Sequence, residues 1–125
     1  MGVNSLGHVA GRTTTNADEM MQAFLWTPQT GMKALGILGT GPGGTRYTEA
    51  NGINDSDWVV GDGTQPSGSV AFLWTPTCGL LDLNNLIPAN SGWTLYQANA
   101  INNVGQIVGY GNLGGKTRAF LLTPH

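Results

Sequence analysis

A six-residue segment occurs three times along this chain at a constant spacing, and no other feature of the sequence limits the fold as strongly. Residues 23–28 and residues 71–76 both read AFLWTP, and residues 119–124 read AFLLTP, so each copy lies 48 residues after the previous one. Self-similarity at a fixed period of about 20–50 residues is typical of solenoids, propellers and other repeat architectures. The chain is therefore predicted to be a tandem repeat.

A second motif keeps the same spacing. Residues 53–61 (INDSDWVVG) and 101–109 (INNVGQIVG) lie 48 residues apart, and residues 3–11 (VNSLGHVAG) form the first copy, 50 residues before the second. The two extra residues fall between the two motifs of the first unit. The predicted units, which together form one continuous domain, are repeat 1 (residues 1–52), repeat 2 (residues 53–100) and a truncated repeat 3 (residues 101–125).

Each full repeat is predicted to contain four short strands, because short apolar runs alternate with Gly, Pro and Asn. The predicted strands cover, in order, residues 58–61 and 106–109, the AFLWT segments, residues 32–38 and 80–86, and residues 47–53 and 95–101. Residues 16–19 (NADE) resemble a helix capping box. The equivalent segments, 65–69 (QPSGS) and 113–116 (LGGK), are unsuited to a helix, so residues 13–22 are predicted to form a longer hairpin loop with one helical turn at most.

The composition supports an all-β fold. The chain has 20 glycines among 125 residues and only 10% charged residues, which favours a turn-rich β protein over a helical bundle. Tandem four-stranded antiparallel units of this length match β-propeller blades, with a β-solenoid or a stacked sandwich as alternatives. The side chains expected to pack between units, with the three phenylalanines buried, are Phe24, Trp26, Phe72, Trp74, Phe120 and Leu122.

Charge and hydropathy argue against several classes of protein. The net charge is −2 with five Lys and Arg residues, too few for a nucleic-acid interface or a polybasic membrane patch. No apolar run is long enough to insert into a membrane. Cys78 is the single cysteine, so an internal disulfide is excluded. The first residues show no basic start followed by an apolar run, so we expect no secretory signal within this chain.

The two motifs together resemble the bacterial HAF extracellular repeat, in which an Ile-Asn-x-x-Gly-Gln-Ile-Val-Gly segment precedes an Ala-Phe-Leu-Trp-Thr-Pro segment. Residues 101–124 carry the closest match, and Asp57 and Trp58 depart from it by replacing Gly and Gln. Family members often have His before the Ala-Phe pair, where this chain has Gln22, Val70 and Arg118. The resemblance implies secretion or surface exposure, a repetitive β architecture and no established catalytic residues.

One group of acidic residues resembles a metal site. Asp55 and Asp57 alternate in the turn of repeat 2, and Asp62 follows, which is the kind of oxygen-rich loop that binds calcium. The sister turns at residues 4–7 and 102–105 contain no carboxylate, which favours an ordinary hairpin turn. We therefore predict no cofactor, with calcium at these three residues as the alternative.

Two tryptophans depart from the repeat. Trp58 stands where the other copies have the polar residues His8 and Gln106, and Trp93 also lies outside the repeated motifs. An exposed tryptophan near Asp and Asn is suited to a carbohydrate platform, whereas a packed tryptophan is typical of protein interfaces. Trp58 and Trp93 are therefore the candidate ligand-binding residues, and interface packing is the competing interpretation.

The predicted function is that of a non-enzymatic structural or assembly module, located outside the cell or on its surface. No nucleophile–base set and no Gly-x-Ser-x-Gly elbow occurs. About ten predicted strands make two and a half units, whereas a closed propeller needs about four blades. We therefore expect contacts with other copies or adjacent repeats, head-to-tail, as a ring or a filament. The alternative function is a carbohydrate-binding, lectin-like propeller module with glycans as partners.

Overall fold

A computed structural model describes residues 2–14 and 21–124, and this part of the chain is all-β. The strands within it are β1 (Gly2–Val3), β2 (Val9–Thr14), β3 (Met21–Thr27), β4 (Gly31–Gly36), β5 (Thr48–Ile53), β6 (Val59–Gln65), β7 (Gly68–Thr75), β8 (Gly79–Asp82), β9 (Trp93–Ile101), β10 (Ile107–Leu113) and β11 (Lys116–Leu122). Two short 3-10 turns, Pro42–Gly44 and Leu83–Asn85, lie in the longer connections. Within the described ranges, no helix is both long enough and apolar enough to cross a membrane.

The strands form three antiparallel sheets in which consecutive strands are neighbours. The first sheet contains β1 to β4, the second β5 to β8, and the third β9 to β11. The AFLWT segments form the same strand of each sheet and keep one register, because Phe24 pairs with Gly11, Phe72 with Gly61 and Phe120 with Gly109. The prediction that the three segments occupy equivalent positions is confirmed.

The sheets begin earlier than the repeats into which the sequence was divided. The segments 47–53 and 95–101, predicted as the last strands of repeats 1 and 2, are the first strands of the second and third sheets. The reason is local: only five residues separate β5 from β6, and the two strands pair as an antiparallel hairpin. The third sheet therefore contains three strands, where the sequence predicted two.

Two predicted segments also differ in extent. Thr13 and Thr14 pair with Gln22 and Met21, so the ends of the predicted 13–22 loop are strand. Its middle, including the capping-box residues 16–19, lies outside the described residues. The segment predicted as a strand over residues 80–86 ends at Asp82, whose Oδ1 accepts a hydrogen bond of 2.9 Å from the backbone N–H of Asn84 and thereby begins a 3-10 turn.

The glycine that closes the second motif is required by the neighbouring strand. The pairing register shifts between Ala50 and Gly52, which makes a β-bulge opposite Gly61. A Cβ atom on Gly61 would run into the carbonyl oxygen of Glu49, and one on Gly109 would run into that of Gln97. Because these obstacles are backbone atoms, no rotation of a side chain could relieve them.

The three sheets stack face to face, and the core lies in two layers between them. The first interface joins the first and second sheets and contains Ala10, Ala23, Leu25, Leu35, Ala50, Ile53, Val59, Phe72 and Trp74. The second interface joins the second and third sheets and contains Val60, Ala71, Leu73, Leu83, Leu95, Ala98, Ile107 and Phe120. The second sheet thus packs one face on the first sheet and the opposite face on the third.

Candidate assembly site

Three asparagines open turns of the same build. The Oδ1 of Asn54 accepts backbone hydrogen bonds of 3.0 Å from residues 56 and 58, and the Oδ1 of Asn4 accepts two of 3.0 Å at the equivalent positions. The Oδ1 of Asn102 accepts bonds of 3.2 and 2.9 Å from residues 104 and 106. Each side-chain oxygen therefore holds its own turn, which leaves the side-chain amide free to bond elsewhere.

The side-chain amides connect each turn to the next sheet. The Nδ2 of Asn4 donates to the carbonyl oxygen of Asn54 at 3.0 Å, and the Nδ2 of Asn54 donates to that of Asn102 at 3.0 Å. The exposed Asn102 donates instead to the Oε1 of its own Gln106 at 2.8 Å. We call this series Asn4–Asn54–Asn102 the asparagine ladder. Its bond between sheets is the same at both interfaces.

A second row of hydrogen bonds runs beside the ladder through Asp55. Its Oδ1 accepts a bond of 2.8 Å from the backbone N–H of Ser5, and its own N–H donates to the Oδ1 of Asn103 at 2.8 Å. Hydrogen bonding from Ser5 holds the pKa of Asp55 below its usual value. This carboxylate therefore joins the turn of the second sheet to the turns on either side.

Asp57 occupies a position that is glycine in the sister turns. Its φ is +61°, in the left-handed region, as are Gly7 at +78° and Gly105 at +84°. The Oδ1 of Asp57 lies 2.7 Å from the Nδ1 of His8 and accepts a bond of 2.8 Å from the Nδ2 of Asn4. The side chain thus bonds the turn of the first sheet across the first interface.

Asp62 lies apart from the two turn carboxylates, buried in the second sheet. It accepts hydrogen bonds of 3.0 Å from the Tyr47 hydroxyl and 3.2 Å from the Nδ2 of Asn51, and burial raises the pKa of its carboxyl group. The three predicted calcium ligands therefore each have a separate set of partners. Within the described ranges, no three His, Cys, Asp or Glu side chains are grouped so that they could hold a metal ion.

The outer face of the third sheet exposes residues whose counterparts are buried. Val108 is 42% exposed, whereas its equivalent in the second sheet, Val60, is 0% exposed. Leu121 is 60% exposed, and its equivalent Leu73 is 7% exposed. The first sheet buries the equivalent Ala10 and Leu25 against the second sheet. We call the exposed surface of Val108, Ala119 and Leu121 the rear face.

The first sheet shows the complementary pattern on its opposite side. Trp26 is 38% exposed, whereas its equivalent Trp74 is 6% exposed within the first interface. Met32 is exposed, and its equivalent Leu80 packs against that same interface. We call the surface of Trp26 and Met32 the front face. The equivalent faces of the second and third sheets are each covered by the preceding sheet.

The phenylalanines predicted to pack between units are buried. Phe24, Phe72 and Phe120 are all buried, as predicted, and Phe72 and Phe120 lie in the two layers between sheets. Of the three residues two positions further along the strand, Trp74 is buried, Leu122 packs partly buried against the second interface, and Trp26 lies on the front face. The position is thus covered wherever a preceding sheet is present.

Trp58 and Trp93 both pack against the second interface. Trp58 lies beside Gly105, where an added Cβ would come within 3.5 Å of its ring. The Trp93 ring meets Phe120 edge to face, with centroids 6.3 Å apart. Each ring is half-buried, which suits packing better than an open carbohydrate platform.

Between the second and third sheets, a cavity of about 350 Å³ opens beside Trp58. Its wall includes Leu83, Ile87, Ile107 and Leu122. A neighbouring hollow of about 330 Å³ shares Ile87 and Leu122 with it and is bounded by Trp93. The two predicted ligand-binding tryptophans therefore line adjoining hollows rather than one common site.

Comparison with known proteins gives no further guide: no family model matches the chain, and neither the curated proteins nor the solved structures include a significant match.

Proposed function

We propose that this chain is a non-enzymatic structural module of the HAF type, which acts outside the cell or on its surface and stacks head-to-tail with copies of itself. The rear face is the observation that supports this proposal most directly. Val108 and Leu121 are exposed there, whereas the equivalent Val60 and Leu73 are buried by the next sheet. The front face of a second copy is the surface with the matching position in the repeat. The contact between copies would then reproduce the two interfaces inside the chain.

The asparagine ladder supports the same arrangement. At each internal interface, one side-chain amide bonds one carbonyl of the following turn. Placing Asn4 of a second copy behind Asn102 would extend that pattern by one bond. Addition of this kind is heterologous, since two different faces of the chain meet, and it produces a ring if the rotation closes and a filament if it does not.

Close packing at one edge of the stack favours propeller-like curvature. A Cβ on Gly2 would lie 3.2 Å from the Cα of Gly52, and one on Gly52 would lie 3.1 Å from the Cα of Ala100. Toward the opposite edge, the interfaces are filled by the larger Leu35 and Leu83. Sheets that approach closely at one edge and are held apart at the other fan out around the close edge, as propeller blades do.

Sedimentation velocity over a range of protein concentrations tests the proposal. We expect species heavier than the 13.1 kDa monomer, and we expect Leu121→Arg to return the protein to monomer because it places a charge on the rear face. Val104→Arg is the matched control, since Val104 is exposed and its equivalent Ser56 stays exposed between two sheets. A wild-type protein that is monomeric at every concentration would contradict the proposal.

A mixing experiment tests whether two different faces meet. Trp26→Arg blocks the front face and Leu121→Arg blocks the rear face, so each variant alone should be monomeric. Their mixture retains one intact front and one intact rear face and should form heterodimers and nothing larger. If the mixture stays monomeric while both variants are folded, the head-to-tail arrangement is wrong. If either variant alone dimerises, the contact joins identical faces.

A further inference from the structure

The cavity beside Trp58 has a filled counterpart elsewhere in the chain. In the first interface, the position equivalent to Leu122 is Trp74, whose indole ring is buried against Val59 and its neighbours. In the second interface, Leu122 pairs with Ile107 in the same register and leaves space where the indole lies in the first. Leu122 is also the one residue by which the third AFLWTP motif departs from the other two.

The mouth of the cavity is also less filled than the equivalent part of the first interface. Leu38 packs half-buried against the first interface, whereas its equivalent Leu86 is exposed and borders the cavity. The second interface is thus less filled than the first at two equivalent positions. A volume of about 350 Å³ lies within the range of small-molecule pockets.

The chemistry of the wall restricts the class of ligand. The Thr123 hydroxyl and the Trp58 indole N–H are the polar side-chain groups among the lining residues, and the rest of the wall is aliphatic, proline or glycine. A sugar or a charged molecule would lose its hydration without gaining partners, which is unfavourable. A planar apolar ring would remove apolar surface of its own and of Leu83, Ile107 and Leu122 from water, which is favourable.

From these observations we infer that the cavity between the second and third sheets is a binding site for a small uncharged aromatic molecule of the size of indole, which takes the place that the Trp74 ring has in the first interface. This site goes beyond the proposed assembly function, because it lies within one chain and needs neither the front nor the rear face. Indole itself is the natural probe. For a ligand of nine non-hydrogen atoms, we expect a dissociation constant of about 10⁻⁴ M.

The test follows the methyl resonances of Leu83, Ile107 and Leu122 by NMR during titration with indole. Using the Leu121→Arg variant separates the result from self-association, so that failure of the assembly proposal would leave this test intact. We expect saturable shifts confined to the cavity residues, and no shifts with glucose. Shifts that do not saturate, shifts scattered over the surface, or a response to glucose alone would overturn the inference.

Filling the cavity provides the decisive variant. Leu122→Trp restores the residue of the first two motifs and should weaken indole binding at least tenfold. In the same Leu121→Arg background, Val108→Trp, on the opposite face of the third sheet, is the matched control and should leave indole binding unchanged. If Leu122→Trp does not fold, Leu86→Trp at the exposed mouth replaces it. Binding that survives a folded cavity-filling variant would place indole elsewhere and overturn the inference.

Discussion

The two interfaces inside this chain have the same backbone arrangement but are filled by different side chains. Both have the ladder bond of 3.0 Å, and the sheets that form them share one strand register. At the turns, the first interface has the His8–Asp57 pair where the second has Trp58 against Gly105. At the strand end, the first has Trp74 where the second has Leu122.

The residues that differ between the two interfaces face each other across the junction. A polar residue at position 8 meets a carboxylate at position 57, and a large ring at position 58 meets a glycine at position 105. The backbone hydrogen bonds specify how sheets stack, while side-chain pairs decide how completely each junction is filled. A repeat protein can therefore vary its junctions without changing the way in which its units join.

The largest effect should come from Gly61→Ala. The added Cβ would strike the Glu49 carbonyl oxygen, so β5 must move, and β5 contacts the sheets on both sides. We expect a loss of about 3–4 kcal/mol in the free energy of unfolding, measured by urea denaturation. Gly109→Ala disturbs the third sheet and the second interface alone, and its loss should be about 1–2 kcal/mol smaller. Equal losses would show that the contacts of β5 with two neighbouring sheets add nothing to the cost of moving that strand.

Replacing Trp74 with the leucine that the second interface has at the equivalent position tests what the tryptophan contributes to stability. Trp74→Leu removes a buried ring and should cost about 2–3 kcal/mol in the free energy of unfolding. The same variant should gain a second indole site, detectable as new shifts at Val59 and Leu25. Trp26→Leu, on the exposed front face, is the control and should change stability by less than about 1 kcal/mol. No loss with Trp74→Leu would mean that the first interface collapses around the gap.

Removing an asparagine of the ladder should lower stability by an amount that depends on whether another sheet covers its turn. Asn54→Ala leaves two backbone donors without their acceptor and breaks the bond to Asn102, so we expect a loss of about 2 kcal/mol. Asn102→Ala breaks bonds within an exposed turn, where water can replace them, and should cost about 1 kcal/mol or less. Thermal unfolding of both variants measures the difference. A larger loss at Asn102 would contradict the ladder as the connection between sheets.

The smallest effect concerns Asp62, which is buried near the second interface, whereas the equivalent Arg12 forms an exposed pair with Glu49. Burial raises the pKa of Asp62 above 3.8, so the folded state binds its proton more tightly than the unfolded state. Wild-type stability from this group is therefore present below pH 3.8 and is lost as the pH rises through the raised pKa. Asp62→Asn should stabilise the protein at neutral pH by less than about 1 kcal/mol, and the gain should shrink in acid. A gain that is constant with pH would exclude the carboxylate charge as its cause.

The sequence predicted the all-β class, the equivalence of the AFLWT strands and the burial of Phe72 and Phe120, because these depend on local patterns repeated at a fixed period. It misplaced the start of each sheet, because a period does not define where a unit begins. The short hairpin between Ile53 and Val59 contained that information: strands joined by five residues pair with each other.

The candidate sites were harder to predict from the sequence than the fold was. Asp55, Asp57 and Asp62 are close in the chain, but the turn directs Asp57 to His8 and Asp55 to Ser5, each in the preceding sheet, whereas Asp62 bonds within its own sheet. The cavity exists because the second interface lacks the large side chain that fills the equivalent space in the first. The change from Trp74 to Leu122 in an otherwise repeated motif was a usable signal for it, because a smaller side chain at a buried repeat position leaves unfilled volume.

The asparagine ladder has a consequence for the kinetics of growth. Each turn offers one donor and one acceptor, and a newly added turn offers the same two groups as the turn that it covers. In the proposed stack, every addition would thus recreate an identical growing end, and successive steps would share one equilibrium constant. Lengths would then follow an exponential distribution whose mean rises with concentration, with no critical nucleus and no lag. Only curvature that brings the last copy back to the first could select a single size.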